Sequence, residues 1–139
     1  MSQSKTEWCS ECEYHAQTIY MKDPNDANKL YVGGGLWQSG KQVPVILALQ
    51  ASTGNQIWQW ASTSHSNHGG VRGVIVDGTR IVSTGYINSP QAGFLFWADE
   101  ASPAVWEIDT SGSLVAEKLL DRTHLPQGAK IRYEKNPCW

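Results

Sequence analysis

The chain has 139 residues, 40% of them hydrophobic and 17% charged, with a formal net charge of −2. It can bury a core of its own, and without a basic stripe it is not expected to bind nucleic acid or an anionic membrane surface. Its longest apolar run, 43–49, is far too short to span a bilayer.

Residues 1–13 are polar and read as a mobile N-terminal segment. They lack the apolar core of a signal peptide, so a complete chain of this kind is expected to be cytoplasmic. Residues 15–21 read as a short strand, and 22–28 carry dense turn chemistry. A strand at 29–35 runs into three consecutive glycines, Gly33 to Gly35, and 36–42 reads as a loop. Residues 45–60 then read as strand, turn, strand: the branched run Val45 to Leu49, turn residues 51–55 with Gly54 free to take a positive φ, and Ile57, Trp58 and Trp60 resuming the strand. After a Ser/His/Asn/Gly linker at 61–70, Val74 and Val76 alternate on a strand. Asp77-Gly78 signals a hairpin, and 81–87 returns. Further strands are expected at 104–109 and 114–120, with a turn at Gly112 between them. Seven Trp and thirteen Gly, without helical periodicity, suit a sheet-rich fold with tight turns.

The two halves repeat. Tyr31 to Gly35 is matched fifty residues on by Ile81 to Gly85, and Leu49-Gln50 with Gly54 is matched by Ile108-Asp109 with Gly112. The hairpin residues Ala48, Thr53, Gly54 and Trp58 resemble the repeat of quinoprotein (PQQ)-type β-propellers, Ala-x-Asp-x-x-Thr-Gly-x-x-x-Trp. Gln50 stands where that family has Asp, and Asp109 supplies the acid in the second copy. The resemblance implies an all-β fold of two four-stranded propeller-type blades, 14–61 and 62–120. A linker and the first strand of a further blade would follow at 121–139, all as part of, or a subunit in, a larger propeller. The alternative is a single β-sandwich or barrel.

Several residue sets invite a chemical reading. Gly35, Gly40 and Lys41 fit the phosphate loop G-x-x-x-x-G-K, but Gln42 replaces the Ser or Thr that would hold Mg²⁺, and the β-branched, Pro-containing run 43–46 follows in place of a helix. Cys9 and Cys12 form one C-x-x-C pair, and Cys138 lies at the far end, so neither four zinc ligands nor a complete disulfide framework results. His65 and His68 share one linker without a nearby acid or thiol to complete a metal set. Trp37 and Trp97, in or beside loops, are the candidates for stacking on a sugar or other ligand, whereas Trp58 and Ile108 are expected between the sheets.

A quinone site would need calcium-binding acids, a catalytic Asp and an aromatic floor drawn from several blades, and none of these is matched residue by residue. No cofactor or metal is therefore expected. The sequence reads as a non-enzymatic binding or scaffold module, with Trp37, Trp97, His65 and His68 as ligand-binding candidates. Its partner is expected to be a protein or a second copy of the chain, since two stacked blades leave a sheet face open at each end. The alternatives are a piece of a quinone-dependent dehydrogenase or other propeller enzyme, and a sugar-binding oligomeric lectin.

Overall fold

The structure is a computed structural model that describes residues 14–16, 21–63, 65, 67–90 and 101–120. The expectations for 1–13, for 121–139, for Trp97 and for the three cysteines lie outside these residues.

All regular structure among the described residues is β. The first sheet contains β1 (Tyr14–Ala16), β2 (Met21–Asp23), β3 (Asp26–Gln38), β4 (Lys41–Gln50) and β5 (Gln56–Ala61). It is four strands wide, because β1 and β2 lie end to end along one edge of β3, on Gly34–Leu36 and on Asp26–Tyr31. The second sheet is the meander β6 (His68–Asp77), β7 (Arg80–Ser89), β8 (Ser102–Asp109) and β9 (Leu114–Leu119). Every pairing is antiparallel. No ladder joins the two sheets among the described residues, which removes the closed-barrel alternative.

One apolar layer lies between the sheets. Tyr31, Ile46 and Ala48 of the first sheet meet Val71, Val74, Ile81, Ile87, Ala104, Trp106 and Ile108 of the second. Ile108 is fully buried there, as expected, whereas Trp58, expected between the sheets, is only partly buried at the margin beside Trp60. Side chains alternate between faces along a strand. The opposite face of the first sheet is apolar too: Leu36, Val43 and Val45 form a second buried cluster, with Leu47 and Ala61 against it. A strand apolar on both faces reads as a continuous run, which is the pattern of 43–49.

The turns explain the hairpins. Gln50 N–H donates to the Asn55 carbonyl and Gly54 N–H to the Gln50 carbonyl; Asp109 and Gly112 make the same pair of bonds with Ser113 and Asp109. Gly54 and Gly112 both sit at positive φ, 76° and 98°. The Asp109 carboxylate accepts from the Ser111 hydroxyl and from the Ser111 and Ser113 amides. The Ser111 hydroxyl most of all holds it below the usual carboxylate range. Three of the turns at this end interlock, since Asn25 Nδ2 donates to Gly78 O and Thr110 N–H to Thr79 O, and Lys29 Nζ of β3 and Trp58 Nε1 of β5 both donate to Thr110 O. Beside them the buried Tyr31 hydroxyl donates to Asp23 Oδ2 at 2.6 Å.

Two expectations change. Residues 36–42 are not a loop: β3 and β4 run through to a two-residue turn, Ser39-Gly40, with φ of 53° and 79°. That geometry matches the twist of the flanking strands, and without a helix after Lys41 there is no phosphate cradle. The internal repeat is also displaced by one residue. Gln50 and Asp109 open equivalent turns, and their cross-strand partners are Lys29 and Arg80. Leu30, not Tyr31, is therefore the counterpart of Ile81.

Candidate functional site

At the end opposite the turns, the β3–β4 hairpin of the first sheet reaches the linker that enters β6. Three of the candidates meet there. Trp37, near the end of β3, lies edge-on to His68, at the start of β6, with ring centroids 5.6 Å apart and planes at 70°. The two residues after the hairpin turn hold the two histidines. Lys41 Nζ donates to the His65 carbonyl, and Gln42 N–H donates to His68 Nδ1 at 3.0 Å. Trp97 lies outside the described residues.

The centre of the junction is Gln42, fully buried on the face turned to the second sheet. Its Nε2 donates to the Gly69 carbonyl at 3.0 Å and to the Tyr86 hydroxyl at 3.2 Å. Gly35, across the strand pair, leaves the space it fills: a methyl there would overlap the Gln42 side chain. Sequence reading passed over Gln42. Its signal was one amide at the head of the apolar strand β4, whose paired strand β3 carries the triple glycine.

His65 is 7% exposed and shares a 2.9 Å hydrogen bond with the Ser62 hydroxyl through Nε2. Glu117 Oε2 of β9 lies 3.9 Å from that same nitrogen, and it accepts the Trp106 indole N–H at 2.8 Å. Serine, histidine and a carboxylate in one place suggest a nucleophile triad. The geometry is not that of one. In a working triad the base takes the serine proton on one ring nitrogen while the acid orients the other. Here serine and carboxylate share one nitrogen, the carboxylate already serves an indole, and Ser62 is 4% exposed. The set ties the linker to β8 and β9.

Comparison of the chain with protein-family models, with curated proteins and with solved structures finds no match. No group of three His, Cys, Asp or Glu placed to hold a metal occurs among the described residues.

The electrostatics of the junction give a direct expectation. Burial pushes His65 below the usual imidazole value; Glu117 opposes this and Lys41 adds to it. Burial, then Lys41, lowers His68 in the same way. A base with a depressed folded pKa leaves the unfolded chain binding more protons. The stabilisation is then complete above about pH 6.5 and is lost as the pH falls toward the folded values. The melting temperature is expected to decline on acidification from pH 7.5 to 5.5, ahead of any carboxylate titration. A flat profile across that window would show that neither ring is held neutral.

Proposed function

We propose that the chain is a non-enzymatic binding or scaffold module built of two blades of the quinoprotein-propeller kind, and that its partner is a further blade supplied by a second copy. One observation carries this reading. With Leu30 equivalent to Ile81 and Leu49 to Ile108, the first sheet's outer residues Leu30, Leu36, Val45, Leu47 and Leu49 correspond to Ile81, Ile87, Ala104, Trp106 and Ile108, which the second sheet turns toward the first. Equivalent faces therefore point the same way, as in sheets stacked by rotation around a propeller axis. A face-to-face two-fold sandwich would turn equivalent faces toward each other.

The consequence for partners follows from the outward faces. On the first sheet that face is apolar, closed over Leu36, Val43 and Val45 and open toward Ile57, which is 46% exposed. It is the counterpart of the face by which the second sheet already packs, so another such sheet is the occupant it fits. On the second sheet the outward face mixes Ile75, 58% exposed, and Val82 with Thr84, Glu107 and Lys118. Ala116 and Lys118 stand there where the first sheet has Trp58 and Trp60. Contact is head to tail, and three copies of two blades would close a six-bladed ring.

Light scattering across micromolar concentrations tests the assembly. A homo-oligomer is expected, and Ile57→Lys should dissociate it while leaving the fold intact. A stable monomer unaffected by that change would overturn the partner reading. Titration with pyrroloquinoline quinone and calcium tests the rest. No useful affinity is expected, since no acid set or aromatic floor is matched, and tight calcium-dependent binding would make the chain part of an enzyme.

A further inference from the structure

His68 joins the sheets by a bond that one proton abolishes. It opens the first strand of the second sheet, yet its Nδ1 accepts the backbone N–H of Gln42 from the first. A neutral imidazole offers one acceptor nitrogen, and an imidazolium offers none. Protonation at Nδ1 would set two donors against each other at 3.0 Å. Among the described residues, the groups packed around the ring give that proton no counter-charge. Lys41 of β4 is a cation beside it, Trp37 of β3 lies edge-on, Ser89 of β7 is its cross-strand partner, and burial likewise disfavours the charged form of His65 in the linker. The Glu117 carboxylate faces His65 and takes the Trp106 indole N–H.

We propose that His68 is an acid-released latch, which clips the β3–β4 hairpin to the second sheet when neutral and frees it when protonated. The same release strips the Gln42 backbone from the junction while its side-chain bonds to Gly69 and Tyr86 still hold, so the first opening is local and precedes loss of the core. The device stands apart from the propeller reading, because it needs only that the two sheets meet at this hairpin.

Amide hydrogen exchange followed by NMR on the whole chain tests it, corrected for the intrinsic pH dependence of exchange. Between pH 7.5 and 5 the protection of the Gln42 amide is expected to fall about tenfold or more beyond any fall at the core amide of Ile81. His68→Asn is the decisive variant. Its Oδ1 can take the place of Nδ1 as acceptor and does not titrate, so protection at Gln42 should persist and become insensitive to pH. His65→Gln should leave the acid-induced loss in place. Equal losses at Gln42 and Ile81, an unchanged Gln42 amide, an acid response surviving His68→Asn, or a His68 ring that stays protonated above pH 6.5 would each overturn the latch.

Discussion

Replacing Trp106 by alanine is expected to cost about 3–5 kcal/mol of unfolding free energy, the largest effect of any single truncation in this chain. Trp106 is the largest fully buried side chain among the described residues. Its ring lies 5.7 Å from that of Trp60 across the space between the sheets, and its indole N–H donates to Glu117. Alanine would leave a cavity in the one layer that holds the two sheets together, and would strip Glu117 of its donor beside His65. Phenylalanine separates these terms. It keeps most of the volume and loses the hydrogen bond, so a smaller cost of about 1–2 kcal/mol is expected. Denaturant unfolding measures both. A Trp106→Ala loss below about 1 kcal/mol would mean that the layer between the sheets does not carry the fold. Trp58→Ala should cost less than Trp106→Ala, because Trp58 is only half-buried against Tyr31 and the turn at Gly112.

The second large effect comes from adding one carbon. Gly85 lies on β7 where the strand passes Gly70 and Trp106, and a methyl there would overlap the Gly70 carbonyl oxygen and press to 3.0 Å on the Trp106 ring. Neither obstacle can rotate away: one is backbone, the other is a fully buried ring. Gly85→Ala is expected to cost about 3 kcal/mol or more, at or beyond the upper end of ordinary overpacking. Gly40→Ala is the contrasting case. Nothing lies within 4 Å of a methyl at that position, but its φ of 79° is one that L-residues rarely adopt. A cost of about 1 kcal/mol, from backbone strain alone, is expected there. If the two variants melt together, the close approach of β6, β7 and Trp106 is not a constraint on the fold.

Much of the architecture was legible because local chemistry decides it. Gly54 and Gly112 mark turns that need a positive φ. Asp77 and Gly78 mark another tight turn, though the central pair proved to be Gly78-Thr79. The alternation through Val74 and Val76 and through Ala104, Trp106 and Ile108 gives half-buried strands with an identifiable inward face. The hairpin over Ser39-Gly40 was missed although Ser-Gly is a turn dipeptide, because its glycine-lysine pair invites a phosphate reading in place of a structural one.

The sequence by itself determined the class of fold, the strand-turn-strand units and part of the buried set, Ile108 among them, since propensity, turn chemistry and apolar period act within a few residues of the chain. Tertiary structure alone decided which face of the first sheet meets the second. Residues 43–49 are apolar on both sides, so no alternation distinguishes the faces, and a slip of one residue exchanges them. The one-residue displacement of the repeat was hidden for that reason. The junction was hidden for another. Trp37, Gln42, His65, His68 and Glu117 are spread over 81 positions of sequence, and only the stacking of two sheets brings the hairpin, the linker and the last strand to one end of the molecule.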